Sequence, residues 1–306
     1  MLRLVWERDG GHWPHRDASS FVQAAQLRWH VQSMEQAGAG TPIVWLIHGT
    51  GASTHSWRGL MPLLASQCRV FAADLPGHGF TSMPDEAAAA RQFSLPGMAQ
   101  ALYALMRQHD TLPDLLVAHS AGAAIAARMC LDGLVRPAAI VSLNGAYLPL
   151  GGVAGRLFSP AAKLMAASRL VPRLFAWRAT DPAMVQRLLS GTGSVLDPSG
   201  VALYGKLVRN PGHAAAALAM MAHWDLLPLQ EDLRRLATPV CLAVGSNDQT
   251  IAPAQAHRVL ARLPAHPLTR VEALAGLGHL AHEEQAATVA GLVLGVAQAT
   301  RLLPQA

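Results

Sequence analysis

Leu115-Leu116-Val117-Ala118-His119-Ser120-Ala121-Gly122-Ala123-Ala124 decides the fold. It reads as a short apolar strand, a tight turn holding one serine, and a helix rich in small residues. That order is the form of a nucleophile elbow, in which the turn lifts a serine hydroxyl to the carboxyl edge of a parallel sheet. The N–H of Ala121, at the helix start, points to where an oxyanion would form. Small residues are needed two positions either side of the serine, because strand and helix nearly touch there. Gly122 meets that need on one side. Ala118 stands where a glycine is usual on the other, at the cost of one methyl of clearance. The pattern alone also fits an ordinary strand-to-helix turn, so its partners elsewhere in the chain have to decide.

The chain around it is large enough for a substantial core. It has 306 residues, 51% of them apolar and only 14% charged, which excludes a disordered chain. The formal net charge of +5 suits anionic ligands, an acidic membrane surface or nucleic acid. No basic helix or aromatic RNA-binding motif accompanies it, so nucleic acid is not expected as a partner. Cys68, Cys130 and Cys241 all fall in predicted apolar elements and read as free, buried thiols of a reducing compartment. The start, Met1-Leu2-Arg3-Leu4-Val5-Trp6-Glu7, lacks the apolar core of a signal peptide. No uninterrupted apolar run has membrane-spanning length. A cytoplasmic location is expected, with peripheral membrane contact open.

Strand and helix patterns alternate on both sides of the elbow. Residues 1–20 read as an irregular lead-in, and Phe21–Met34 as one half-buried strand, with Leu27, Trp29 and Val31 on one face. Ile43–Ile47 is a continuous apolar run, as in a strand covered on both faces. A helix over Trp57–Ser66 with Ser56 as N-cap, a strand at Val70–Ala73, a surface-like segment at Pro84–Phe93 and a helix at Leu95–His109 lead to the elbow. A strand at Ala139–Leu143 follows. From Leu148 to Arg235 the chain has helix-like pieces and no convincing strand. Alternation resumes with strands at Val240–Val244 and Leu268–Glu272, a helix at Pro253–Leu263 and a final helix over Glu283–Leu303. This predicts an α/β fold with a mostly parallel, doubly wound sheet. Residues 1–147 and 236–306 form the core, and 148–235 an inserted helical lid.

A serine hydroxyl needs a histidine base, and that histidine an orienting carboxylate. In an open α/β sheet these groups sit on loops at the carboxyl ends of strands. Asp248 follows the strand ending at Val244, and His279 follows the last short strand in the glycine-flanked Gly276-Leu277-Gly278-His279. The chain order Ser120, Asp248, His279 is the one an elbow requires. The strand at 139–143 ends at Asn144 and offers no competing acid. His48-Gly49-Thr50-Gly51 lies where a second oxyanion donor is needed, and the Thr50 N–H is assigned to it, with Gly51 as the alternative. Each residue has a plainer reading. Asp248 fits a helix N-cap for the segment at 253. His78 fits a structural loop histidine, and His119 a residue packed behind the elbow. Asp74 fits a brace for the loop after its strand. His282, beside Glu283 and Glu284, reads as a surface residue. No third ligand makes His279-x-x-His282 a metal site, and neither metal nor cofactor is expected.

Together His48-Gly49-x-Gly51, Asp74-Leu75-Pro76-Gly77-His78-Gly79, the elbow at Ser120, Asp248 and Gly278-His279 resemble the α/β-hydrolase superfamily over roughly residues 20–145 and 237–303. Gln26-Leu27-Arg28-Trp29-His30-Val31-Gln32 and His48–Arg58 further resemble the magnesium-chelatase accessory proteins of bacteriochlorophyll biosynthesis in phototrophic bacteria. That resemblance implies an α/β-hydrolase fold and a role at insertion of magnesium into protoporphyrin IX, without implying a defined reaction. It makes magnesium-chelatase subunits candidate partners.

Substrate choice on such a core belongs to the lid. From Arg156 to Asn210 eight basic residues (Arg156, Lys163, Arg169, Arg173, Arg178, Arg187, Lys206, Arg209) face only Asp181 and Asp197, among many apolar side chains. A basic, apolar lid suits a hydrophobic substrate bearing carboxylates, such as a porphyrin, and equally an anionic membrane surface. An ordinary helical cap with solvated arginines is the plainer reading. Candidate substrate-binding residues are Gly49, Gly51, His119, Asn144, Trp177 and His223. The last is either an axial ligand to a tetrapyrrole metal or a packed lid histidine.

Overall fold

The fold is that of a computed structural model, which describes residues 2–305 apart from 37, 39, 150–164, 166, 167 and 169. The lid residues Arg156, Leu157, Phe158, Lys163, Leu164 and Arg169 lie outside the described residues.

Eight strands form one sheet: β1 (Ser19–Ala24), β2 (Leu27–Met34), β3 (Ile43–Ile47), β4 (Arg69–Ala73), β5 (Leu115–His119), β6 (Ala139–Leu143), β7 (Val240–Gly245) and β8 (Arg270–Leu274). Their order is β1-β2-β4-β3-β5-β6-β7-β8. β1, β2 and β4 pair antiparallel, and every pairing from β4 onward is parallel. The central strands are apolar on both faces, and the period-two alternation sends neighbours to opposite cores. Trp45, Ile47, Leu116, Ala118 and Ile140 join one core with α4 (Leu95–Gln108) and α5 (Ala121–Leu131). Val44, Leu46, Leu115, Val117 and Val141 join the other with α2 (Leu60–Ala65) and α13 (Ala286–Ala299).

The segment read as one strand over Phe21–Met34 is a hairpin. It turns at Ala25 and Gln26, which have φ of 50° and 64°, and Ala24 pairs with Leu27. A two-residue hairpin turn with both central residues at positive φ usually signals itself through Asn or Gly. Ala-Gln carries no such signal, so the pattern reads straight through. The lead-in holds a short helix, α1 (Trp6–Asp9), and the surface-like segment holds α3 (Glu86–Gln92). The helix expected at 57–66 is a 3-10 turn (Thr54–Trp57) followed by α2. Ser56 does not cap it, its hydroxyl donating instead to the Ser53 carbonyl. Past β7, α11 (Ala254–Leu260) is shorter than expected and β8 begins two residues later than expected. The final helix is broken at Gln285, between α12 (Ala281–Glu284) and α13, where φ is −139° and ψ is 70°. All three cysteines are free; Cys68 and Cys241 are buried and Cys130 is half-buried.

Between β6 and β7 the described residues form helices: α6 (Val171–Arg178), α7 (Pro182–Ser190), α8 (Pro198–Val208), α9 (Pro211–Ala222) and α10 (Leu227–Asp232). Asp181, Asp197 and Asn210 cap α7, α8 and α9 through their side chains, each followed at once by proline.

Candidate active site

The elbow is built by a backbone conformation most side chains avoid. Ser120 has φ of 51° and ψ of −120°, a sparsely populated region for a non-glycine residue. Its N–H donates to Leu143 on β6 (3.0 Å), and its carbonyl accepts from Ala123 (3.1 Å) and Ala146 (3.0 Å). Neighbours over-determine the turn. A Cβ added to Gly122 would lie 2.3 Å from the Ile47 carbonyl, and one added to Gly49 would lie 2.8 Å from the Ser120 Cβ. The extra methyl of Ala118 is absorbed in the core, where the residue is fully buried.

Three parallel strands bring the partners to the same edge. His279 Nε2 lies 3.1 Å from Ser120 Oγ, and His279 Nδ1 lies 2.8 Å from Asp248 Oδ2. The side chains of Asp248 and His279 are almost wholly buried. Asp248 is held by four donors: its Oδ2 accepts from His279 and from Asn144 Nδ2 (2.7 Å), and its Oδ1 accepts from the N–H groups of Thr250 (2.7 Å) and Ile251 (2.9 Å). The N-cap alternative for Asp248 is thus partly realised, since one oxygen caps the turn that follows while the other faces the histidine. Asn144, expected to meet substrate, spends its amide on Asp248. The contact is made from a backbone with φ of 50°.

Ala121 opens α5, so its N–H is one of those a helix start leaves without an intrahelical partner. Thr50 follows Gly49, the loop residue packed against Ser120, and the Thr50 hydroxyl donates to Met220 Sδ on α9 (3.3 Å). Gly51 has φ of 77°. Its carbonyl accepts from His213 Nε2 (3.1 Å), while His213 Nδ1 accepts from the Gly79 N–H (3.1 Å). His213 is on α9, so a helix between β6 and β7 holds the loop that carries Thr50. Burial pushes the His213 pKa down to about 4 and keeps it in the neutral form this double role needs.

A second tie comes from the segment between β6 and β7. The Thr192 carbonyl accepts both the Gln249 N–H (3.2 Å) and the His279 N–H (3.2 Å). Ser194 Oγ accepts from Leu280 N–H (2.8 Å), and Glu284 bridges the N–H groups of Gly278 (2.8 Å) and Val195 (3.0 Å). The approach is so close that a Cβ on Gly193 (φ 80°) would meet the Asn247 carbonyl at 1.9 Å. The only hint in the sequence is the Gly191-Thr192-Gly193-Ser194 string.

The remaining candidates fall elsewhere. His119 is buried, and its Nε2 donates to the His279 carbonyl (3.0 Å), which ties it to the backbone of the histidine loop. Burial, with His282 and His279 nearby, pushes its pKa well below the ordinary histidine value. His282, expected at the surface, is fully buried against Trp57 and His119, with ring centroids 4.6 and 4.5 Å away. The two glutamates after it do not keep it in solvent. Glu283 is itself buried, paired with Arg58 and accepting from Tyr204 (2.8 Å). His223 turns Nδ1 onto the Ala219 carbonyl (2.8 Å) at the end of α9. Trp177 stands out from α6 into solvent, and none of the hydrogen bonds of the described residues links it to the site. His78 and Asp74 are the structural loop residues expected. Asp74 braces the loop by accepting from the N–H groups of Thr54 (2.7 Å) and Phe80 (2.9 Å).

Comparison with known proteins agrees with this fold. A family model of the alpha/beta hydrolase fold matches residues 42–286. The chain belongs to the α/β-hydrolase fold family. More particularly, it is 36% identical over 284 residues to the magnesium-chelatase 30 kDa subunit of Rhodobacter capsulatus, a match covering 92% of this chain and 95% of that one. Among solved structures, a putative lipase from Acinetobacter baumannii AYE superposes with a TM-score of 0.74 at 17% identity, covering 92% of this chain and 91% of that chain. An alpha/beta hydrolase fold protein from Burkholderia ambifaria gives 0.70 at 24% identity, covering 90% and 99%. These two likenesses speak to the fold alone.

Proposed function

We propose that the protein is a serine hydrolase of the carboxylic-ester type that serves magnesium insertion into protoporphyrin IX in bacteriochlorophyll biosynthesis. The observation that supports the chemistry is the hydrogen-bonded chain Asp248–His279–Ser120 at a strained elbow. Ser120 gives its proton to His279 Nε2 as Oγ attacks an ester carbonyl carbon. The carbonyl oxygen becomes an oxyanion held by the N–H groups of Ala121 and Thr50. His279 then protonates the leaving alcohol, and a water activated by the same histidine releases the acid and restores Ser120. Asp248 keeps His279 in the tautomer with Nε2 free and stabilises the imidazolium formed on the way.

The pathway assignment rests on the 36% identity to a magnesium-chelatase subunit across nearly the whole of both chains. It carries with it a hydrophobic, carboxylate-bearing substrate such as a porphyrin, and chelatase subunits as partners. The second reading is an ester hydrolase unrelated to pigment, supported by the Asp248–His279–Ser120 chain, which by itself requires no pigment substrate. Replacing Ser120 by alanine in a pigment-producing cell separates the two. Loss of pigment with accumulation of protoporphyrin is expected. Normal pigment with loss of esterase activity in the purified protein would assign the site to unrelated chemistry.

A further inference from the structure

Helix α6 is built inside out. Its small residues Pro172 and Ala176, with Ala179 just beyond, are buried, and α6 packs on α9. The large apolar residues of α6 and of its N-cap form the opposite stripe: Leu170 (the N-cap), Leu174 and Trp177, spaced four and three apart, are 70%, 59% and 64% exposed. Water-facing Leu and Trp on consecutive turns run against the ordinary amphipathic pattern, in which the large apolar stripe faces the core. Helix α7 extends the surface. It buries Val185 and Leu189 and leaves Leu188 45% exposed. Between the two helices runs a shallow groove of about 430 Å³ lined by Val171, Leu174, Phe175, Met184, Arg178 and Arg187.

The charge on this face is one-sided. Arg173, Arg178 and Arg187 are exposed around the apolar stripe, and Asp181 is the one acidic residue of the two helices. Its carboxylate caps α7 and sits 3.8 Å from Arg187, both groups largely in solvent, so it offsets little. Arg173 and Arg178 make no ion pair among the described residues. An apolar stripe with a tryptophan, rimmed by arginines, is the composition of an element that lies in the headgroup region of an anionic bilayer. Charge of one sign around a large apolar stripe matches a surface that is uniformly negative and apolar beneath, as an anionic bilayer is. Among the described residues no helix is long and apolar enough to cross a membrane, so the contact would be peripheral.

We propose that α6 and α7 form a peripheral docking surface for anionic phospholipid, with Leu170, Leu174, Trp177 and Leu188 entering the interface and Arg173, Arg178 and Arg187 meeting the phosphates. The surface is independent of the hydrolase reading, because none of its residues touches Ser120, Asp248 or His279 through a hydrogen bond.

Sedimentation with vesicles tests it. The whole protein is expected to bind vesicles of equal phosphatidylcholine and phosphatidylglycerol and to leave vesicles of phosphatidylcholine alone in the supernatant. Raised salt should release it. Leu174→Ser with Trp177→Ser should weaken binding at least about tenfold. Each of Arg173→Gln, Arg178→Gln and Arg187→Gln should weaken it about fivefold. All these positions are exposed, so unchanged thermal melting should verify that the variants fold. Ser120→Ala should bind vesicles like the unaltered protein, so a failed hydrolase assay leaves this result readable. Absence of binding to the anionic vesicles at low salt, or binding that the double serine variant leaves intact, overturns the proposal. So does self-association of the unaltered protein, abolished by the same variant, without lipid binding.

Discussion

Among the described residues two Asp–His–Ser chains occur, and one of them ends at a strained elbow. In the first, Asp248 Oδ2, His279 and Ser120 Oγ are joined at 2.8 and 3.1 Å. In the second, Asp74 Oδ2, His30 and Ser19 Oγ are joined at 2.8 and 3.0 Å. The distances are interchangeable. What differs is the backbone around each serine. Ser120 has positive φ and heads a helix whose first N–H groups lack intrahelical partners. Ser19 begins an edge strand in ordinary extended conformation, with its N–H and carbonyl in or near a hairpin ladder and its hydroxyl also accepting from Gln32 (3.1 Å). Asp74 also serves the fold, since its oxygens organise Thr54 and Phe80 as well as His30. Distances among three side chains therefore do not define a nucleophilic site. A strained turn and N–H groups aimed at a developing charge do.

The comparison breaks most directly at the two serines. Ser120→Ala is expected to lower kcat on a p-nitrophenyl ester by on the order of 10⁶-fold, with melting temperature nearly unchanged. Asp248→Asn should lower kcat by about 10⁴-fold, since the amide no longer selects the productive tautomer. Acid sharpens the contrast from the other side. His48, His55, His78, His119, His213 and His282 are all buried, and burial pushes their pKa values below the ordinary one, to about 4 for His213 and about 3 for His282. The unfolded chain takes up these protons near pH 6.5 and the folded chain does not. Stability is therefore present above that pH and falls as pH drops toward the folded values, by up to about 1.4 kcal/mol per pH unit for each histidine. Urea unfolding at stepwise lower pH should show a steep loss starting near pH 6.

Asp74→Asn should cost about 3–5 kcal/mol of stability, because it unpairs a buried charged network. Burial opposes the charge of Asp74, but His30, His48 and the Phe80 N–H hold its carboxyl well below the usual range. The part of its contribution that depends on its own ionisation is complete above the ordinary carboxylate pKa and fades only at strongly acid pH. Turnover per folded molecule should survive. Ser19→Ala is the smallest expected change, about 1 kcal/mol or less of stability and no effect on kcat. A loss of ester turnover in Ser19→Ala would erase the distinction drawn between the two chains.

Much of this was legible in the sequence, for definable reasons. The parallel strands declare themselves because both of their faces are buried, and the elbow because only small residues allow strand and helix to touch at Gly122. Ser120, Asp248 and His279 are read from chain order and loop position. What could not be read is contact across the chain. Nothing local marks His30 as the partner of Asp74, His213 as the clamp on Gly51, or the Thr192 carbonyl as the acceptor shared by the loops of Asp248 and His279. His282 was misread because two adjacent glutamates suggest solvent, whereas Arg58 and Tyr204 bring Glu283 inside. The hairpin at Ala25-Gln26 was missed because its positive φ values fall on residues with no special tolerance for them. Asn144 looked like a substrate contact because it ends a strand at the right edge, and only the structure turns its amide to Asp248.

The central claim is that the strained serine, and not its geometric double, is the nucleophile. Intact-mass analysis after exposure to a fluorophosphonate, followed by peptide mapping, tests it most directly. The predicted result is a single phosphonyl adduct on Ser120, lost in His279→Ala and retained in Ser19→Ala. An unmodified mass after prolonged exposure, or an adduct on Ser19, would contradict it.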